Sequence, residues 1–99
     1  ATVTRVLVCT MPGTEVAAAG VAARLRQELP AGANGVELYP NGAKVKKQFD
    51  YANKRGIGFV VMVGEDEASK KMVALKNLET GEQIVVSEAE LAVRITGSQ

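Results

Sequence analysis

Apolar positions along this chain alternate between short β-branched runs and longer stretches of helical period. Arg5 to Thr10 (RVLVCT) is β-branched and apolar, and Met11-Pro12-Gly13-Thr14 breaks it, with Thr14 placed to cap a following helix. That helix is predicted to run to about Leu29. Val21, Leu25 and Leu29 fall at i, i+4 and i+8 on its inner face beside Ala17 and Ala18, while Arg24, Arg26 and Gln27 face water. Pro30 and the turn from Gly32 to Gly35 end it, a short strand covers Val36 to Tyr39, and Pro40-Asn41-Gly42 turns the chain into a second helix. In that helix Val45, Phe49 and Ala52 form an i, i+4, i+7 stripe for the core, and Lys44, Lys47, Tyr51 and Lys54 share another side. After Gly56, the run Gly58 to Val63 is continuous in Phe, Val and Met, which predicts a strand covered on both faces at the centre of a sheet.

The pattern then changes. Lys71 to Leu78 and Glu82 to Val86 are strand-like runs separated by Glu79-Thr80-Gly81, a tight-turn signal, and so predict a β-hairpin. Ser87 with Glu90 three residues on reads as a capping box for a last helix through about Ile95, followed by a frayed Gly97-Ser98-Gln99 tail. The order βαβαβ, hairpin, helix implies three parallel strands extended by antiparallel ones, with helices on the faces.

At 99 residues the chain is expected to form a single domain over 1–99, burying roughly two thirds of its unfolded surface around one core. No apolar run approaches the about 20 residues that span a bilayer, so no membrane partner is expected. Residues 1–11 carry one Arg and an alternating pattern instead of a secretion signal, which favours a cytoplasmic setting. The single cysteine, Cys9, excludes an internal disulfide and a Cys-rich zinc site; the absence of His removes the commonest metal ligand and general base.

Net charge is only +1, but it is unevenly spread: Lys44, Lys46, Lys47, Lys54 and Arg55 against Asp50 give +4 over residues 44–55 and leave −3 elsewhere. Three constellations could carry chemistry. Cys9, at a strand end before a loop and a helix start, occupies the place of a phosphocysteine nucleophile, yet Met11-Pro12-Gly13-Thr14-Glu15 offers one glycine, a proline without N–H, and an acid where a cation would help. The alternative is a small buried strand residue. Glu65-Asp66-Glu67 reads as an acidic turn leaving the third strand, at the end where open α/β sheets bind ligands. It has too few spaced donors for a hard-cation cage, but a carboxylate there can accept from base N–H groups; the plain reading is a solvated turn. The basic side of the second helix, with Tyr39 and Tyr51 nearby, can neutralise phosphates and stack bases, or can simply be a wet face. Together, basic helix and acidic turn resemble a division of labour in which lysines position a nucleic-acid backbone and a carboxylate reads bases.

The segments AKVKKQFDYANKRGIGFVVMVGEDE and VALKNLETGEQ carry KKQ, a helix ending YANKRG, VVMVGEDE and a KNLETGEQ hairpin in one order. This closely resembles the C-terminal anticodon-binding domain of histidyl-tRNA synthetases, strongly over residues 39–83 and elsewhere through the element order. The resemblance implies a three-layer α/β/α fold with a five-stranded mixed sheet in order 2-1-3-4-5, strand 4 antiparallel. It implies a module, excised from the C-terminal end of a larger class II synthetase, that grips the anticodon stem-loop of histidine tRNA and reads a GUG anticodon. A separate catalytic domain of the parent, a homodimer using ATP and Mg2+, would charge the tRNA; this domain is expected to hold no cofactor, metal or catalytic residue.

Carried over residue by residue, the resemblance makes Glu67 and Lys76 the anticodon-base contacts, gives Thr10 at the end of strand one a similar role, and sets Lys44, Lys47 and Gln48 near the tRNA backbone. Two rival readings remain open on the sequence: the same fold serving as a protein-interaction module of a synthetase-like regulatory protein, and a Cys9-dependent phosphotransfer domain.

Overall fold

The computed structural model describes residues 5–29, 35–39 and 44–97, and of Glu67 only the backbone. The breaks expected around Pro30 and at Pro40-Asn41-Gly42, and the tail residues Ser98 and Gln99, lie outside the described residues. The elements run β1 (Val6–Cys9), α1 (Glu15–Glu28), β2 (Val36–Leu38), α2 (Val45–Lys54), β3 (Phe59–Met62), α3 (Glu65–Ser69), β4 (Met72–Asn77), β5 (Gln83–Ser87), a 3-10 turn (Glu88–Glu90) and α4 (Leu91–Gly97).

The strands form one five-stranded sheet in the order β2-β1-β3-β4-β5. β1 pairs in parallel with β2 (Leu7 opposite Glu37) and with β3 (Leu7 opposite Val60), while β4 runs antiparallel to both β3 and β5. The expected sheet order and the antiparallel fourth strand are therefore observed. Because strand side chains alternate, each central strand feeds two cores. Val6, Val8, Phe59, Val61, Val73, Leu75 and Val86 face α1 and α4, which bring Ala18, Val21, Ala22, Leu25, Leu91, Ala92 and Ile95. Leu7, Cys9 and Val60 face α2 and meet Ala52 and Ile57, with Phe49, Tyr39 and Tyr51 partly buried against them. This second core is the smaller, so α2 depends more on polar ties.

Local chemistry explains where the elements stop. Gly56 follows α2 with φ +69, and Gly81 turns the β4–β5 hairpin with φ +79, backbone that suits glycine. Ser87 caps as expected, its Oγ accepting from the Glu90 N–H at 3.3 Å. Thr14 does not: it stands at the N-cap of α1, but its hydroxyl turns back and donates to the Met11 carbonyl at 3.2 Å. The acidic segment also differs from expectation. It is no plain turn but a short helix, started where the Ala68 N–H donates to the Gly64 carbonyl at 2.8 Å; acids in a first helical turn complement the helix dipole.

Candidate nucleic-acid interface

α2 carries the charge that singles this surface out. Its N-cap is Lys44, without a side-chain cap, and its first turn contains no acid. Lys46 and Lys47 therefore stand at the positive end of the helix dipole, an arrangement that costs an isolated helix about 0.3–1 kcal/mol per cation and concentrates positive potential for an anion. Lys44, Lys46, Lys47 and Asp50 line a shallow hollow of about 440 Å³, and Lys44, Lys46, Lys47 and Lys54 are exposed.

The inward side of α2 is built on a polar residue. Gln48 has 0% exposure and its side-chain amide grips the end of β1: Oε1 accepts from the Thr10 N–H at 3.0 Å and Nε2 donates to the Thr10 carbonyl at 2.9 Å. Thr10 is itself buried, and its hydroxyl donates to the Tyr39 carbonyl at 2.6 Å. The Tyr39 N–H in turn donates to the Val8 carbonyl at 3.0 Å. The ends of β1 and β2 and the first half of α2 are thus pinned together. Thr10 and Gln48, expected beside RNA, are brought together but sit inside; Val45 and Phe49, expected as core, are only half-buried because Gln48 and Ala52 take the innermost positions.

At the β2 edge the structure adds a network that the sequence reading missed. The Arg5 guanidinium donates to Glu37 Oε2 at 2.7 Å and to the Arg55 carbonyl at 2.7 Å, and the Tyr51 hydroxyl donates to Glu37 Oε1 at 2.7 Å. The Tyr51 hydrogen bond, aided by Arg5, holds the Glu37 carboxyl below its ordinary range, and the same bond raises the Tyr51 phenol. Arg55 lies 5.5 Å from the Tyr51 ring centroid, and the Tyr39 and Tyr51 rings meet edge to face at 5.4 Å.

Glu67 and Lys76 are not brought to one place along the sheet. α3, which holds Glu67, begins beyond the carboxyl end of β3, whereas Lys76 pairs with Val60 near the start of β3, because β4 runs back antiparallel. The Lys76 ammonium lies 5.3 Å from the Phe49 ring centroid, beneath α2. The side chain of Glu67 lies outside the described residues. Cys9 is fully buried and burial pushes its thiol up to about 12, the reverse of what a phosphocysteine nucleophile requires. Among the described residues no helix is long and apolar enough to cross a membrane.

A mixed 2-1-3-4-5 sheet with helices on both faces and a basic second helix defines an α/β module of the anticodon-binding class. The chain belongs to the anticodon binding domain family, whose model matches residues 5–97. Its similarity runs to histidine–tRNA ligases. It is 38% identical over 93 residues, 93% of the chain, to that of Cytophaga hutchinsonii, and 52% identical over 62 residues, 63% of the chain, to that of Flavobacterium johnsoniae. It superposes on the crystal structure of histidyl-tRNA synthetase from Nostoc sp. PCC 7120 with a TM-score of 0.87 at 34% identity, covering 98% of this chain and 23% of that one. The chain spans only 20% and 13% of the length of the two ligases.

Proposed function

We propose that the chain is the anticodon-recognition module of a histidine–tRNA ligase and binds the anticodon stem-loop of histidine tRNA. The observation that carries this reading is the similarity to the Cytophaga hutchinsonii ligase over 93% of the chain. The basic flank of α2 supports it physically, since cations on one exposed face supply the salt-dependent part of RNA binding. ATP, Mg2+ and the ligation of histidine to tRNA belong on this reading to the rest of a longer, homodimeric parent working in the cytoplasm.

In this division of roles Lys44 and Lys47 neutralise backbone phosphates, Glu67 reads anticodon bases beyond β3, and Lys76 contacts the RNA separately, from beneath α2. Thr10 and Gln48 act indirectly: they fix α2, and so its lysines, against the end of the sheet. Gel-shift titration of the chain with histidine tRNA and with the same tRNA carrying a swapped anticodon tests the proposal. Tighter binding of the first is expected; equal binding of both at moderate salt would overturn base reading.

A further inference from the structure

Between β2 and α2 lies a hollow of about 240 Å³ lined by Leu7, Glu37, Leu38, Tyr39 and Tyr51. We propose that it receives one unstacked nucleobase of the bound RNA, with the base plane against a tyrosine ring and an N–H edge toward the Glu37 carboxylate. The inference rests on the RNA-binding reading above and adds to it a subsite at the β2 edge.

Size, surface and charge each favour this occupant. The volume falls below the roughly 300 Å³ at which pockets for drug-sized molecules begin, which suits a single flat ring system. Tyr39 and Tyr51, both half-buried on the α2 side of the sheet, give the hollow the aromatic surface on which proteins stack splayed-out RNA bases. The rings of Tyr39 and Tyr51 stand at 81° to each other, so the edge-giving ring keeps its faces clear of its partner, while Arg55 lies over Tyr51. Glu37, which also lines the hollow, has an ionised and fixed carboxylate, each oxygen already accepting one hydrogen bond at 2.7 Å. A carboxylate offers about four lone-pair positions, so acceptor capacity remains for the amino or imino groups of a base.

The hollow is also preorganised. The backbone of Tyr39 is fixed on both sides, its N–H by the Val8 carbonyl and its carbonyl by the Thr10 hydroxyl, and the Tyr51 phenol is fixed by Glu37. Few groups need ordering when a base enters, which lowers the cost of binding. Lys47 precedes Tyr51 by one helical turn and Lys44 by two, so a phosphate attached to the bound nucleotide meets cations on the same flank of α2.

The sequence provides its own reporter: the chain has two tyrosines and no tryptophan, so its emission on excitation in the tyrosine band arises from the two rings that line this hollow. The 99-residue chain is titrated with a short RNA hairpin carrying the histidine anticodon loop. Affinity is read from a dye on the RNA, and tyrosine emission is compared with a high-salt sample of equal absorbance in which the RNA is released. Emission is expected to fall on binding; Tyr39→Leu is expected to weaken affinity about tenfold with an unchanged salt slope, and Tyr39→Phe to retain affinity. Full binding with undiminished emission overturns the subsite and leaves the RNA-binding reading standing. So does wild-type affinity in Tyr39→Leu, or equal losses in the Leu and Phe variants. Failure of the wild-type chain to bind the hairpin at low salt overturns the RNA-binding reading itself.

Discussion

Replacing Gln48 with leucine keeps most of the bulk inside α2 but removes both ends of the amide that holds Thr10. The Thr10 N–H and carbonyl, which Gln48 meets at 3.0 and 2.9 Å, would lose those partners in a dry setting. Each buried group left unpaired costs about 1–3 kcal/mol, so the gross loss is about 2–6 kcal/mol. A buried leucine returns roughly 1.5–3 kcal/mol of that through transfer from water. The net expectation is a loss of about 2 kcal/mol, or a melting temperature lower by about 8–16 °C for a domain of this size. Urea unfolding followed by circular dichroism should show a lower midpoint with an unchanged m-value. Gln48→Glu refines the test. Its carboxylate still accepts from the Thr10 N–H but cannot donate to the carbonyl when ionised, and burial raises its folded pKa above its unfolded one. Its destabilisation should therefore be fully present at neutral pH and shrink as the pH falls through that raised value. A Gln48→Leu variant as stable as wild type would refute the idea that this clamp, more than the thin apolar core, holds α2 in place.

The other expectations concern charge and reactivity. Glu37 has its folded pKa held below the ordinary 4.5, so its stabilisation is present above that value and is lost as the pH falls through the lowered one. Thermal melts should show wild type losing its advantage over Glu37→Gln only in that acid range; a gap that is constant with pH would contradict the ion-pair account. The Cys9 thiol, pushed up to about 12, should resist iodoacetamide at neutral pH until denaturant is added, and rapid native labelling would show it to be accessible. Lys47→Ala should weaken binding to every RNA and lower the salt slope by about one, whereas Glu67→Ala should lose anticodon preference at unchanged slope. Identical behaviour of the two variants would erase the proposed division between positioning and reading.

Period and punctuation made the strands and main helices legible, because β-branched runs bounded by glycine and proline leave few alternatives. The sheet order came from the resemblance, and the structure agrees with it. What the sequence hid were decisions made by partners far along the chain. Gln48 looks like a surface residue between lysines and aromatic Phe49; only the approach of the β1 end, 38 positions away, makes it an interior one. Arg5 and Glu37 were each visible as a charge in an apolar strand, yet their pairing follows from the parallel register that sets Glu37 beside Leu7. Lys76 and Glu67 were adjacent in role but are separated along the sheet, since an antiparallel return carries the end of β4 toward the start of β3.

The account is tested most directly by mapping backbone amide shifts of the isotope-labelled chain on addition of the histidine anticodon hairpin. It predicts perturbations along α2 from Lys44 to Lys54, at Tyr39 and through Gly64 to Ser69, with α1 and α4 on the opposite face unmoved. Shifts concentrated on α1 and α4, around the exposed Val16 and Val93, would place the partner on the other side of the sheet and contradict it.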